Sequence, residues 1–196
     1  AFKAKYQGED RVAVCFLGEG ATNIGGFHEG LSLAGLWDLP LVTVIENNTY
    51  AMGTPLSRTS PVEDFTTKAP GYGMQSDRFD GHDVLEVKKR MARAIDRARG
   101  GEGPTLIEIE TYRFRGHSMS DPAKYRTKEE LEERKKRDPV KLARSTLIDS
   151  GVAEEELVAL DEEVEAEVQD AVAFAQEAEP ARIDVMWQSV MAPEDG

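Results

Sequence analysis

At 196 residues, 40% apolar and 31% charged, the chain is sized for a globular domain with a core of its own, not for a fibre or a disordered tail. No uninterrupted apolar run approaches the roughly 20 residues of a membrane-spanning helix, and a formal net charge of −13 excludes a basic nucleic-acid-binding face. The charge is local: residues 151–180 hold 11 acids and neither Lys nor Arg, which leaves the remainder nearly balanced.

The opening Ala-Phe-Lys-Ala-Lys-Tyr carries no apolar targeting segment and reads as the last turns of a helix ending at Gly8, so the chain is expected to begin mid-element. The apolar run Val12-Ala13-Val14-Cys15-Phe16-Leu17 predicts a buried first strand over 11–17. Cys15, the single cysteine, is expected to be a structural thiol buried in it, and a reducing, cytoplasm-like compartment fits. A helix is expected over 21–38, with Ile24, Phe27, Leu31, Ala34 and Trp37 or Asp38 inward. Gly25, Gly26, Gly30 and Gly35 cost it propensity and admit close packing, against the sheet or against a neighbouring subunit. Pro40 closes the connection to a second strand, Leu41 to about Glu46.

Residues 49–75, rich in Thr, Ser, Pro and Gly, read as a loop with one short helix near 61–69, and Phe79 as a short strand before Asp80-Gly81. Asp83 is the expected N-cap of a helix to Arg99, with Val84, Val87, Met91, Ala94, Ile95 and Ala98 as its core stripe. Gly100, Gly101 and Gly103 end it, and Thr105–Glu110 reads as a third buried strand. Residues 113–127 are an aperiodic loop at that strand's carboxyl end. Thr127 and Glu130 have capping-box spacing for a helix to about Arg137, and Asp138-Pro139 opens another that stops near Gly151. A long helix over 153–178 carries Leu157, Leu160, Val164, Val168, Ala171 and Ala175 at three- and four-residue steps, with an acidic face read as solvated surface. Strands alternating with helices predict an α/β fold. A parallel sheet flanked by helices is expected over 1–126, with a helical C-terminal extension over 127–196 packed on it.

Two polar clusters fall at strand carboxyl ends, where open α/β sheets bind ligands. Gly18-Glu19-Gly20-Ala21-Thr22-Asn23 follows the first strand, and Asn47-Asn48-Thr49-Tyr50 the second. Glu19 offers a hard anionic oxygen and Asn48, 29 positions later, a neutral amide oxygen, donors that suit Mg²⁺. Gly20 lets backbone N–H groups approach a phosphate at the start of the next helix. The site inferred holds a magnesium diphosphate, and no Walker-type Gly-Lys-Ser/Thr points to a nucleotide. Of the three histidines, His28 reads as a packing or surface residue, His82 beside a helix start likewise, and His117 lies in the strand-end loop beside Gly116, Ser118, Ser120 and Asp121. Arg113 and Arg115 either neutralise an anion or face solvent.

The Gly-Glu-Gly turn followed by an Asn pair resembles the thiamine-diphosphate motif, in which a Gly-Asp-Gly turn precedes two asparagines at a similar separation. The stretches 47–55 (NNTYAMGTP), 69–73 (APGYG), 79–84 (FDGHDV) and 111–127 (TYRFRGHSMSDPAKYRT) extend the likeness over residues 8–140. The sequence there resembles the α subunit of the E1 component of 2-oxo acid dehydrogenases of the pyruvate and branched-chain type. That resemblance implies thiamine diphosphate and Mg²⁺ as cofactors. It implies Glu19, Asn48 and the Tyr50 carbonyl on the metal, and Gly20 and Ala21 backbones against the diphosphate. His117 is implied as the catalytic histidine, on the diphosphate and near the reacting centre, stabilising anionic phosphate or transferring a proton. Glu19 stands where the thiamine motif more often has Asp, as it does in branched-chain members. Ser118 and Ser120 match serines that are regulatory phosphorylation sites in some members; a phosphate there adds about −1.5 to −2 charge beside an anionic cofactor.

The implied reaction is oxidative decarboxylation of a 2-oxo acid, the cofactor serving as electron sink, with the acyl fragment passed to the lipoyl group of an E2 partner. The implied assembly is an α2β2 heterotetramer whose β subunit supplies the group that activates the cofactor. Family members carry a substantial N-terminal portion before this point, so the chain is expected to be a C-terminal fragment, inactive alone and cytoplasmic (or from the mitochondrial matrix of a eukaryote). Gly-His-Ser-Met-Ser-Asp-Pro and Tyr50-Ala51-Met52-Gly53 resemble pyruvate or acetoin enzymes, whereas Glu19 and Ala69-Pro70-Gly71-Tyr72-Gly73 resemble branched-chain ones; pyruvate is favoured. The rivals are a non-catalytic structural subunit and a different magnesium-diphosphate enzyme of the transketolase kind.

Overall fold

A computed structural model describes residues 1–190. The two most continuous aliphatic and β-branched runs form β2 (Leu41–Asn47) and β6 (Thr105–Glu110), the central strands of a four-stranded sheet. β1 (Ala13–Gly18) lies outside β2, and β5 (Gln75–Asp80) outside β6. All neighbours are parallel, in the order β1-β2-β6-β5. Central parallel strands must be covered on both faces. Val42, Val44, Ile107 and Ile109 pack with Phe79 and with Ala94 and Ala98 of α4 (Val84–Arg99). The alternate positions Ile45 and Leu106 pack with Leu31 of α2 (Gly25–Leu36) and with Phe65 and Ala69 of a 3-10 segment, Phe65–Tyr72.

α4 matches the expected boundaries because both ends are chemically marked. The Asp83 carboxylate accepts from the Leu85 and Glu86 N–H groups at 2.9 and 3.1 Å, and Arg97 and Arg99 sit in the last turn, at the negative end of the helix dipole. Val84, in the first turn, is 54% exposed and is not part of the core stripe.

β1 departs from expectation. It is an edge strand with one neighbour, so its apolar run is not enclosed: Phe16 is 60% exposed, and Cys15 is an exposed free thiol rather than a buried one. The helix expected over 21–38 is also divided. Glu19–Asn23 form a 3-10 turn, the extended backbone of Ile24 breaks the helical run, and α2 starts at Gly25. With the phase reset there, Ile24 and Trp37 are exposed, while Leu31 and Ala34 remain inward. Of the helical glycines, Gly35 makes the close approach. A Cβ there would lie 1.9 Å from the Tyr72 carbonyl oxygen, so α2 meets the 3-10 segment at that point. Nothing lies within 4 Å of a Cβ built on Gly26 or Gly30.

Residues 49–75 are more ordered than a loop. They hold a hairpin of β3 (Tyr50–Ala51) and β4 (Thr54–Pro55), then α3 (Leu56–Thr59) and the 3-10 segment. After the aperiodic loop, α5 (Lys128–Lys135) and α6 (Pro139–Asp149) follow. Thr127 accepts from the Glu130 N–H at 3.1 Å and Asp138 from the Val140 N–H at 3.0 Å.

Residues 1–145 form one compact unit and the residues from Thr146 a second. The second contains α7 (Glu154–Glu177) and α8 (Ile183–Val190). α8 is not foreseen in the sequence, although Ile183, Met186, Trp187 and Val190 have helical spacing. On α7 the acidic face is exposed, and of the apolar stripe Leu157 is buried while Leu160, Val164 and Val168 stay about half exposed. Among the described residues no helix is long and apolar enough to cross a membrane.

Candidate cofactor and metal site

The parallel register brings four chain reversals to one edge of the sheet. Gly18 pairs with Glu46, and Asn47 and Asp80 both pair with Glu110. The Gly-Glu-Gly turn and the Asn-Asn turn are therefore neighbours. Glu19 is only 2% exposed; its Oε2 accepts from the Asn48 N–H at 3.4 Å, while its Oε1 is buried without a hydrogen-bond partner. Asn47 Oδ1 accepts from the Thr49 N–H at 3.2 Å and Asn48 Oδ1 from the Tyr50 N–H at 3.4 Å, two successive side-chain-to-backbone turns. Between them Thr49 takes φ 75, a left-handed conformation uncommon for a β-branched residue. Gly20 is required sterically: a Cβ there would stand 2.7 Å from that of Ala51 in the hairpin. Ala21 lies half-buried in the same 3-10 turn.

Arg113 has a role that neither sequence expectation covered. Its guanidinium donates to the Tyr50 carbonyl at 3.0 Å, to the Met52 carbonyl, and to the Tyr125 hydroxyl at 2.8 Å. It clamps the hairpin to the strand-end loop; Arg115 is exposed. The Tyr125 hydroxyl donates onward to Asp121 Oδ2 at 2.9 Å. Asp121 also accepts from the backbone N–H groups of His117 and Ala123 at 2.7 and 2.8 Å, which hold its carboxyl below the usual range. Glu19, Gly20, Asn48 and Tyr50 thus come together directly. His117, with an exposed side chain, connects to them through Asp121, Tyr125 and Arg113. Ser118 and Ser120 are exposed, with hydroxyls 3.1 Å apart.

A tyrosine cluster supports the hairpin from beneath. Glu130 on α5 does not close the second half of the capping box; its carboxylate accepts from Tyr50 at 3.0 and 3.1 Å and from Tyr112 at 2.8 Å. Burial, and then the adjoining Glu130 carboxylate, push the Tyr50 phenol up to about 12, and Tyr112 is raised for the same reasons. The Arg126 guanidinium covers the Tyr112 ring at 5.4 Å.

Glu108 is the main site-adjacent residue that sequence reasoning passed over. It is fully buried on the same face as Leu106, accepts from Asn47 Nδ2 at 2.8 Å and from the Phe65 N–H at 2.7 Å, and is raised by that burial. The signal was present: a carboxylate at an inward position of an otherwise apolar central strand. The other histidines keep their packing roles. His28 meets the Tyr72 hydroxyl, and buried His82 lies 2.6 Å from Asp80 at the edge of a 440 Å³ cleft under Asn47 and Thr49.

The model of the Dehydrogenase E1 component family matches residues 1–184. The chain belongs to that family. Three relatives named pyruvate dehydrogenase E1 component subunit alpha illustrate the match. That of Rhizobium meliloti (strain 1021) is 40% identical over 97% of this chain and 56% of its own length. That of Zymomonas mobilis is 41% identical over 91% of this chain and 51% of its own. That of Porphyra purpurea is 40% identical over 96% and 55%. The chain spans about half the length of the curated relatives it matches. Among solved structures, an enzyme described as thiamin diphosphate-dependent, from Mycobacterium smegmatis, aligns with 24% identity and a TM-score of 0.44 over 58% of this chain and 20% of its own. Among the described residues of this E1 chain, no three His, Cys, Asp or Glu side chains form a metal cluster.

Proposed function

We propose that this chain belongs to the α subunit of a 2-oxo acid dehydrogenase E1 component, with pyruvate as the favoured oxo acid. Its strand-edge site is read as holding Mg²⁺ and the diphosphate of thiamine diphosphate. The observation that carries this reading is the buried, unpartnered Glu19 Oε1 beside the Asn48 turn. A carboxylate oxygen removed from water with no donor is costly, and an ion is the ordinary remedy. Mg²⁺ suits the set, because it takes few protein ligands and completes its shell from phosphate and water. Asn48 supplies an amide oxygen, and the Tyr50 carbonyl has a second lone pair beyond the one that Arg113 uses.

When bound, thiamine diphosphate supplies an electron sink for loss of CO₂ from the oxo acid. The contributions of this chain are positional and electrostatic. Gly20 and Ala21 present backbone N–H groups to the diphosphate at the turn that precedes α2. Arg113 fixes the hairpin that carries Tyr50 and adds positive charge. His117, on a loop tethered through Asp121, stabilises anionic phosphate or moves a proton near the reacting centre. The remaining parts of the reading are a β subunit in an α2β2 assembly, acyl transfer to the lipoyl domain of E2, and a cytoplasmic or matrix setting. A cofactor domain ending at residue 126, with the helices after it as an extension, completes it. The substrate is tested by CO₂ release from the full-length chain assembled with its β subunit, given pyruvate, acetoin and branched-chain 2-oxo acids in parallel. Pyruvate should give the highest kcat/KM; preference for a branched-chain acid would overturn that assignment.

A further inference from the structure

Glu108 is a fully buried carboxylate in the middle of the sheet for which the proposed chemistry has no use. Such a group is costly unless its lone pairs are filled. Oε1 accepts from Asn47 Nδ2 at 2.8 Å, Oε2 accepts from the Phe65 N–H at 2.7 Å, and Arg78 Nε lies 3.6 Å from Oε1. A carboxamide can present either its NH2 or its oxygen, but a carboxylate only accepts. Glu108 therefore fixes which way Asn47 faces: Nδ2 inward, Oδ1 toward the Thr49 N–H at 3.2 Å. That second bond spans the residue pair in which Thr49 holds φ 75, a strained conformation that persists only when its surroundings enforce it. The same turn directs the Asn48 N–H to Glu19 Oε2.

We propose that Glu108 is a positioning residue: through Asn47 it sets the conformation of the Asn47–Tyr50 turn, and thereby the affinity of the Glu19–Asn48 site for a divalent cation. The cation rests on the proposed function; the turn rests on the hydrogen bonds alone. Partners that orient ligands from outside the coordination shell typically change metal affinity by about 10–100-fold when removed.

The full-length protein with its partner subunit is compared as wild type, Glu108→Gln, and the double variant Asn47→Asp with Glu108→Gln. In the single variant the new amide cannot keep an acceptor toward both Asn47 and Phe65, so Asn47 turns over and its oxygen leaves Thr49. The double variant restores both bonds with polarity exchanged: the new amide donates to the new carboxylate and accepts from Phe65. The second carboxylate oxygen still accepts from Thr49, and the net charge is unchanged. Two readouts are taken: hydrogen exchange at the Thr49 amide in metal-free protein, and Mg²⁺ affinity in the presence of thiamine diphosphate. Glu108→Gln should exchange faster at Thr49 and bind Mg²⁺ about tenfold or more weakly, with the double variant recovering both. Wild-type exchange and affinity in Glu108→Gln, or a double variant no better than the single, would overturn the proposal. If wild-type protein binds no Mg²⁺, the proposed function fails, and exchange decides the turn: unchanged Thr49 protection in Glu108→Gln overturns the positioning role, and loss restored by the double variant supports it. If Glu108→Gln does not fold, a folded double variant with wild-type exchange supports the role and an unfolded one overturns it.

Discussion

A methyl group on Gly20 would enter the space of the Ala51 side chain, 2.7 Å away, so Gly20→Ala must displace either the Glu19 turn or the hairpin. Overpacking of this kind costs about 1–3 kcal/mol, and here it also moves the Tyr50 carbonyl, so weakened cofactor binding should accompany a lowered denaturation midpoint. Glu19→Gln is expected to act in the opposite sense on stability. The change removes a buried charge but leaves an oxygen to accept from the Asn48 N–H. Metal-free protein should melt at the same or a higher temperature while Mg²⁺-dependent binding falls, the pattern of a residue kept for function at a cost in stability. A lowered melting temperature would mean that the carboxylate serves the fold. At this scale the meeting of the Glu19–Gly20 turn with Asn48 was legible because residue type and strand-end position coincide. Arg113 was not, since its hydrogen bonds go to carbonyls more than 60 positions away, and side-chain type alone cannot name a backbone partner.

Among the elements, β2, β6 and α4 were legible from their runs, caps and period, whereas the exposure of β1 was not. An apolar run reports that a segment is a strand, but not whether it has one neighbour or two; that depends on strand order. Glu130 illustrates the same limit, since its capping spacing was readable and its tyrosine partners 80 and 18 positions away were not. This cluster makes a testable pH dependence. Tyr50 stays protonated in the folded state up to about 12, whereas an unfolded-chain tyrosine ionises near 10. Because the folded state binds more protons in that window, the contribution is complete below about pH 10 and is lost as pH rises through about 12. Glu130→Gln removes the neighbouring charge and should lower the Tyr50 titration midpoint, seen in tyrosinate absorbance; an unmoved midpoint would leave burial as the whole cause. Asp121 has the opposite sign. Its carboxyl is held low by the His117 and Ala123 N–H groups, so its contribution is present above the ordinary aspartate range and lost as pH falls through the folded value. Exchange protection of the His117 and Ala123 amides should therefore fall on acidification, and this pH dependence should be absent in Asp121→Asn, which has no carboxyl to protonate.

For the molecule as a whole, the sheet and its two core layers hold most of the buried apolar side chains, but Phe16 on β1 and every residue of the α7 stripe except Leu157 remain exposed. An exposed edge strand with large apolar side chains invites self-association. The 196-residue chain produced alone should associate with rising concentration in sedimentation velocity, and Phe16→Lys should reduce this. At the strand edge, two turns distant in sequence meet around one unpartnered carboxylate oxygen. The most direct test is calorimetric titration of thiamine diphosphate into the full-length chain assembled with its β subunit, with Mg²⁺, with chelator, and with Asn48→Ala. Wild type should bind tightly, and binding should be lost both on chelation and in Asn48→Ala. Absence of binding by a well-folded complex, or binding indifferent to metal and to Asn48, would contradict the proposed function and favour a structural subunit.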